Sequence, residues 1–344
     1  MDLFLQKLST FGNALPGDIT QGLIWGIMAI GVFITYKILD FADLTVDGTL
    51  GLGGVTAVVL ITNGVPVPVA MLIAFLAGCM AGLCTALLNT MLGIPGILAG
   101  ILTQLALYSV YLDINGKANA PVSVDKFPLV ISSRYVTAGN EAGDIIRTVG
   151  TALIFVVVII AVLYWFFGTE YGMAIRANGC NSAMSKAEGI NTKRTTIIAL
   201  VLSNGMVGLA GALLAQYQGF ADVNMGRGAI VIGLAAVIIG MVLGEVILRK
   251  HFNFIGRLSF TALGAIVYFV VLRIVMLIGL STDNTKMFSA IIVALFLAVP
   301  YLQKTSKTSF AKAGRRSLAA ISQESENLTS ALKNSVTAGN KEGK

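Results

Sequence analysis

Long apolar runs follow one another along almost the whole chain, and this repetition limits what it can fold into. Each run is roughly 18–25 residues long, the length that a helix needs to cross a hydrocarbon core about 30 Å thick. The runs are continuous, whereas transmembrane β-strands alternate apolar and polar residues. Charged residues make up only 12% of the chain, about half of what a soluble domain carries. The sequence therefore predicts an all-α polytopic membrane protein.

About nine transmembrane helices are predicted, within a range of eight to ten. The second is short and rich in glycine, and broken segments of this kind often line transport paths. The predicted spans are 19–36, 48–63, 68–90, 94–114, 145–167, 195–216, 226–247, 257–280 and 286–302. They form one domain, 19–302. It follows an interfacial segment, 1–18, and precedes a basic tail, 303–344, that is predicted to be disordered.

Basic residues in the loops predict how the chain is oriented in the membrane. The polar segment 168–194, between the fifth and sixth spans, has four of them, and short cytoplasmic loops collect Lys and Arg. With this segment inside, the loop near His251 and the tail also lie inside, and the tail has eight basic residues against three acidic ones. The N-terminus is then outside and the C-terminus in the cytoplasm. The tail is expected to attract anionic membrane lipid, and no nucleic-acid partner is expected.

No catalytic or metal-binding pattern is found in the sequence. The chain has a single histidine, His251, and its three cysteines lack the spacing of metal ligands, so we expect free thiols. The phosphate-binding pattern G-x-x-x-x-G-K-[ST] does not occur either. We therefore expect no enzyme and no cofactor on this chain. If ATP drives the protein, another chain must bind it.

Polar residues in or beside the spans are the candidates for a solute path, because such groups are costly in a membrane. Other interpretations remain open for several of them. Thr45 or Asp47 could instead cap the second helix, the amides could join helices by hydrogen bonds, and Arg273 could reach for the membrane surface. Each glycine could serve close helix packing. The candidates are Asp43, Thr45, Asp47, Gly48, Asn204, Gln216, Gln218 and Arg273.

The source of energy is the next question. An ion-coupled carrier needs carboxylates or oxygen-rich breaks within the bilayer, and the predicted spans have no carboxylate near their middle. The driving force is therefore expected from outside the lipid, which directs attention to the segment 168–194. A carrier or channel that works without ATP remains the alternative.

Segment 168–194 contains a motif that resembles the coupling segment of a known family. Its pattern is a Gly, then Arg-Ala-x-Gly-x-Asn, then small residues and Gly-Ile, as in permeases of ABC importers for branched-chain amino acids, ribose and nucleosides. The element Asp43–Gly48 is similar to one in the sugar-type members. The matching positions in the coupling segment are Gly172, Arg176, Ala177, Gly179, Asn181, Ala187, Gly189 and Ile190.

Four further stretches resemble a bacterial subgroup of this family. They are 41–48, 101–109, 216–222 and 230–239. Members of the subgroup are described as permeases for tryptophan, tyrosine or related amino acids that work with a lipoprotein binding partner. The resemblance extends over about 20–302. It implies a subunit of the bacterial plasma membrane that imports a small solute, with an aromatic amino acid favoured.

The resemblance also implies partners and a mechanism. Such a permease forms a homodimer around the path and docks a cytoplasmic coupling helix on an ATPase, which binds the ATP and Mg²⁺. An extracellular lipoprotein delivers the solute, and alternating access moves it inward. The expected docking residues are Gly172, Arg176, Ala177, Gly179, Asn181, Lys186, Glu188 and Gly189.

Overall fold

The computed structural model describes residues 2–116, 118–134, 142–248 and 253–277, together with scattered positions between 287 and 298. The chain divides into two compact units, Met1–Val293 and Ala294–Lys344. All elements named below belong to the first unit. In the second, the described positions are 294–296 and 298, and they are helical. The tail predicted for 303–344 lies outside the described residues.

The first unit is mostly helical, with two short antiparallel strands that pair Ala120 with Ala221. The first helix continues directly into a π-helical segment, Ile34–Ile38. In chain order the elements are α1 (Asp2–Phe33), the π-helical segment, α2 (Val46–Thr62), α3 (Val67–Thr90), α4 (Gly96–Asn115), β1 (Asn119–Pro121), α5 (Ala142–Gly168), α6 (Glu170–Cys180), α7 (Ser182–Ala187), α8 (Thr192–Gln218), β2 (Phe220–Asp222), α9 (Ala229–Leu248) and α10 (Phe254–Leu277).

The helices confirm the predicted all-α membrane protein. Seven of the described helices are long and apolar enough to cross a membrane, and α2 is a shorter apolar helix. Each of the first eight predicted spans thus corresponds to a helix, whereas the ninth, 286–302, falls largely outside the described residues. The first apolar span begins at Ala14 within α1, so the predicted boundary at residue 19 is late. The interfacial position of the segment 1–18 stays a prediction.

Glycines on α8 let three helices pack closely at the centre of the bundle. A methyl group on Gly208 would lie 2.6 Å from the carbonyl oxygen of Ala74 on α3, closer than any real Cβ contact. On α2, a methyl group on Gly53 would overlap the backbone of Gly208. The Gly78–Gly82 pair on α3 likewise faces the α8 backbone at Leu200 and Asn204. For these glycines the packing interpretation is confirmed.

Contacts at the two ends of α1 define the two ends of the bundle. Near the start of α1, the Gly17 carbonyl accepts a hydrogen bond from Tyr217 at the end of α8. The π-helical segment at the other end contacts α6, where the backbone of Ile38 lies against Gly179. The α6–α7 segment and the β1–β2 strands thus lie at opposite ends, about 30 Å apart for a helix of this length.

Two non-helical segments enter the bundle from opposite ends and meet in its interior. Residues 39–45 lead from the α6 end to α2, whose first turn packs against Gln104 in the middle of α4. Residues 223–228 return from the other end to α9, which begins beside Asp47 of α2. Because α2 starts inside the bundle, 17 residues are enough for it to reach the far end. The predicted span is therefore short and rich in glycine, but the expected break within it is wrong: α2 is continuous, and the irregular backbone lies before it, at 39–45. Irregular backbone at membrane depth occurs where protein or a cavity surrounds it.

Candidate functional site

The predicted coupling segment consists of two short helices that are held by side-chain caps. Thr169 accepts a hydrogen bond from the Gly172 N–H at the start of α6. Asn181 lies between the helices, and its Oδ1 accepts from the Ala183 and Met184 N–H groups at the start of α7. Gly189 ends α7 with a φ of +85°, which glycine adopts with little cost. These local signals explain why the motif has Asn181 and Gly189 where it does.

Three of the expected docking residues face the chain itself. Gly172 is buried against the backbone of Phe167, and Gly179 is packed against the carbonyl group of Ile38. The Arg176 guanidinium stacks on Phe254 of α10, with its Cζ 4.2 Å from the ring centroid. Burial and the charge of nearby Arg257 lower the pKa of Arg176. These residues therefore fix α6 to the bundle, and the contact with Ile38 explains why position 179 is a glycine.

The exposed part of the coupling segment is centred on α7. Met184 has 60% of its surface exposed, and Lys186, Glu188 and Gly189 are exposed as well. Asn181 is exposed beside them, whereas Ala177 is half-buried. A partner that binds at this end would therefore contact α7 and the turns on either side of it.

In the interior, Asp43 and Asn204 form the centre of a buried polar network. The Asn204 Nδ2 donates to the Asp43 carboxylate at 2.7 Å, and the Asn204 Oδ1 accepts from the Thr49 hydroxyl at 2.8 Å. The other Asp43 oxygen accepts from the Thr45 N–H at 2.9 Å. All four residues are at most 2% exposed. The network joins the segment 39–45 to α2 and α8, and it brings three predicted path residues together.

Two threonines extend this network to the neighbouring helices. The Thr45 and Thr85 hydroxyl oxygens are 2.6 Å apart, and Thr85 donates to Thr103 at 2.9 Å. Thr85 lies on α3 and Thr103 on α4, so four helices share one chain of hydrogen bonds. Neither threonine stands out in the sequence, because a lone Thr in an apolar helix often bonds its own backbone.

Asp47 lies on the first turn of α2 but caps a different helix. Its carboxylate accepts from the N–H groups of Gly228, at 3.0 Å, and Ile230, at 2.8 Å. These groups open α9, where a negative charge complements the helix dipole. The Thr45 side chain makes no cap to α2 either. The interpretation of Thr45 or Asp47 as the cap of the second helix is therefore wrong.

The remaining predicted path residues on α2 and α8 have packing and anchoring contacts. Gly48 lies where α2 passes α4, and a Cβ there would be 3.1 Å from Gln104. The buried Gln216 accepts a hydrogen bond from the Val130 N–H and so fixes the segment 118–134 to α8. Gln218 follows it at the end of α8 and is half-buried.

Arg273 pairs with a carboxylate that the sequence did not single out. Its Nε and Nη2 donate to the two oxygens of Asp18 on α1, at 2.7 and 2.6 Å. The Asp18 side chain is 6% exposed and that of Arg273 is 36% exposed. Both line a cavity of about 670 Å³ at the end of the bundle opposite α6. Of the two interpretations of Arg273, the structure favours the cavity over simple extension to the membrane surface.

Asp43 and Asp47 are carboxylates in the interior that could take part in ion coupling. The predicted spans contain no carboxylate near their middle. In the structure, however, the non-helical segment 39–45 and the first turn of α2 place Asp43 and Asp47 in the interior of the bundle. The scarcity of carboxylates in the apolar runs therefore does not by itself exclude a carrier.

Comparison with known proteins identifies the chain at the level of its family. The family described as "Branched-chain amino acid transport system / permease component" matches residues 17–300, a range that includes α6, α7, the interior network and the cavity. The chain belongs to this permease family. The permease is thus an integral membrane protein of the ABC transporter type, and the family implies an ATPase and a solute-binding protein as partners.

Relatives of the permease differ in the solutes that their names give. A "Tyrosine transport system permease protein" of Clostridioides difficile is 38% identical over 293 residues, which cover 85% of this chain and 93% of the relative. An uncharacterised protein of Rickettsia prowazekii is 32% identical, with 83% and 97% covered. An autoinducer 2 import system permease of Enterobacter is 30% identical over 70% of each chain. The two relatives whose names state a role are permease proteins of transport systems. No solved structure matches the permease.

Proposed function

We propose that this permease imports an amino acid, with aromatic amino acids favoured, and that ATP hydrolysis on a separate subunit drives the import. A lipoprotein delivers the solute from outside, and two copies of the permease form the path. The ATPase, with its ATP and Mg²⁺, binds α7 in the cytoplasm, which places the N-terminus outside and the C-terminus inside. The tyrosine transport relative supports the solute class.

One observation carries the proposal: the exposed α7 is joined, through packed elements, to the polar network in the interior. Next to α7, α6 lies against the π-helical segment at Ile38, and residues 39–45 lead from there to Asp43. Asp43 binds Asn204 of α8, and Asp47 on the following helix caps α9. A force on α7 can therefore reach the two non-helical segments, 39–45 and 223–228, where alternating access requires movement.

Charge reversal at two exposed lysines tests the proposed docking surface. Lys186→Glu on α7 should abolish copurification of the ATPase and ATP-dependent uptake, because it reverses a charge on the docking surface. Lys126→Glu is the matched control, an exposed lysine at the opposite end of the bundle. It should leave both measurements unchanged. Equal behaviour of the two variants would refute docking at α7.

The alternative is an ATP-independent carrier or channel, and the interior carboxylates are the observation that favours it. Ion-coupled carriers bind H⁺ or Na⁺ at such groups. Uptake by the permease alone in proteoliposomes, driven by an ion gradient without ATP, would establish this alternative. Uptake only when ATPase and ATP are present would exclude it.

A further inference from the structure

A cavity in the half of the bundle opposite α6 is large enough for a small solute. Its volume is about 670 Å³, within the range of roughly 300–1,000 Å³ that is usual for small-molecule sites. Helices α1, α9 and α10 form its walls, and Asn224, Met225, Arg227 and Gly228 line it as well. Of these, Gly228 is hydrogen-bonded to Asp47. The cavity therefore lies beside the point where the two non-helical segments, 39–45 and 223–228, meet.

The charged groups of this cavity suit a zwitterion. They are Asp18, Arg227 and Arg273, so the cationic groups exceed the anionic one. A guanidinium has five N–H groups, and Arg273 uses only two nitrogens on Asp18. Its other N–H groups can donate to a carboxylate, while the Asp18 oxygens can accept from an ammonium group. The pair thus offers complementary charges to an amino-acid head group.

The apolar wall of the cavity is aromatic. Trp25 and Phe269 have ring centroids 5.8 Å apart, and Tyr268 stands edge-on to Phe269. All three rings are buried, with Trp25 at 7% and Phe269 at 9% exposure, and each borders the cavity. The cavity therefore offers an aromatic surface on which a flat apolar side chain can pack.

The spacing of these groups sets the length of the solute. Asp18 and Trp25 are seven residues apart on α1, which places them on the same face and about 10 Å apart along the helix axis. A solute that fits has a charged head and a flat apolar body. An aromatic amino acid such as L-tyrosine has both parts, whereas L-leucine lacks the ring.

We propose that this cavity binds the transported solute within the membrane, with the amino and carboxyl groups of an aromatic amino acid at Asp18 and Arg273 and its ring beside Trp25. The proposal rests on the proposed function, because it names the binding site of that import. Residues 224–228 then stand between the bound solute and the interior network, so release requires the start of α9 to move.

Tryptophan fluorescence provides a direct test, because the chain has two tryptophans. Trp165 is on α5 near the α6 end and is 72% exposed, so Trp165→Phe leaves Trp25 as the single reporter. In lipid nanodiscs, L-tyrosine should shift the Trp25 emission in a saturable way, and L-leucine should have little effect. The Trp25→Phe variant, which keeps Trp165, should show no shift. No saturable shift up to millimolar L-tyrosine, or an equal shift with L-leucine, would overturn the proposal.

Binding of radiolabelled amino acids by variants tests the two halves of the site. Arg273→Gln should weaken L-tyrosine binding at least about tenfold, the effect of one lost charge-assisted contact. The control is Arg134→Gln, which breaks an exposed ion pair with Asp125 and should have no effect. Trp25→Leu removes the aromatic ring and should weaken binding of L-tyrosine more than binding of L-leucine.

The outcomes separate the site from the function. If Arg273→Gln and Trp25→Leu bind L-tyrosine normally while ATP-dependent uptake persists, the cavity is not the site and the proposed function stands. If uptake needs no ATP although the cavity binds L-tyrosine, the site stands and the importer mechanism fails.

Discussion

Asn204 is a single side chain that satisfies groups on three segments. It donates to the carboxylate of Asp43 and to the carbonyl of Leu200, and it accepts from Thr49. All of its hydrogen bonds lie in the interior, where an unpaired polar group is costly. Leucine at this position would keep the volume but leave Asp43 without one of its donors.

We therefore predict that Asn204→Leu lowers the free energy of unfolding by about 1–3 kcal/mol, the cost of buried polar groups that lose a hydrogen-bond partner. Thermal unfolding in nanodiscs would show this as a lower transition temperature. Asn89→Leu is the matched control, since Asn89 is half-buried at an end of α3 and its amide donates to the backbone carbonyl of Ile94 rather than to a side chain. An Asn204→Leu variant as stable as the wild type would contradict the network.

Variants at Gly179 and Ala183 distinguish helix packing from binding of the ATPase within the coupling segment. Gly179→Ala places a methyl group against the Ile38 carbonyl, so we predict a lower unfolding temperature. Ala183 is exposed on α7, so Ala183→Trp should leave the unfolding temperature unchanged and weaken binding of the ATPase. The proposed docking surface fails if Ala183→Trp binds the ATPase normally.

At the scale of elements, the start of α9 depends on a residue from α2. Asp47 accepts from two N–H groups of the first turn, so α2 and α9 are joined where neither is continuous through the bundle. A side-chain cap contributes about 1 kcal/mol, sometimes 2. Because the cap comes from another helix, a shift of α2 would release the first turn of α9.

We predict that Asp47→Ala speeds hydrogen exchange at Gly228 and Ile230 by about tenfold, as the loss of a cap worth 1–2 kcal/mol implies. Exchange measured on a peptide that covers 226–232 would report it. Asp113→Ala, which removes an exposed carboxylate from α4, should leave this peptide unchanged. Unaltered exchange in Asp47→Ala would show that the cap does not hold α9.

Local signals in the sequence predicted the elements well, and they failed where distant segments meet. Apolar length placed the eight described spans, whereas the glycines of 48–54, read as the sign of a broken helix, lie within the continuous α2 and serve close packing. The Asp18–Arg273 pair spans 255 positions of the chain, and no periodic pattern connects residues so far apart. The contact between Gly179 and Ile38 is likewise made between distant segments. The sequence therefore indicates only a docking role for Gly179 and not this packing role. A lone intramembrane arginine should nevertheless prompt a search for an acidic partner.

For the molecule as a whole, close helix packing through glycine holds the bundle together. Gly208 faces both α2 and α3, since its position lies against Gly53 on one side and Ala74 on the other. Helices in lipid associate through such close packing rather than through burial of apolar surface from water. One methyl group here would push three helices apart.

We predict that Gly208→Ala yields little folded protein and lowers the unfolding temperature markedly. Gly150→Ala is the matched control, because Gly150 lies within α5 and has no atom within 4 Å of an added Cβ. That variant should be neutral or more stable by about 0.5–1 kcal/mol, since alanine favours the helix. Yields that are equal for the two variants would argue against the packing of α2, α3 and α8.

The cavity beside Asp47 also has an electrical consequence. Water in the cavity has the electrical potential of the aqueous phase to which the cavity opens. The layer of protein that separates the two aqueous phases is therefore thinner here than the ~30 Å of the surrounding lipid. The transmembrane voltage then falls mainly between residues 224–228 and the α6 end, the region that contains Asp43 and Arg176. A charge that crosses the whole voltage gains or loses about 2.3 kcal/mol per 100 mV. The membrane potential therefore acts most strongly on a charge that moves between the floor of the cavity, beside Asp47, and the α6 end of the bundle.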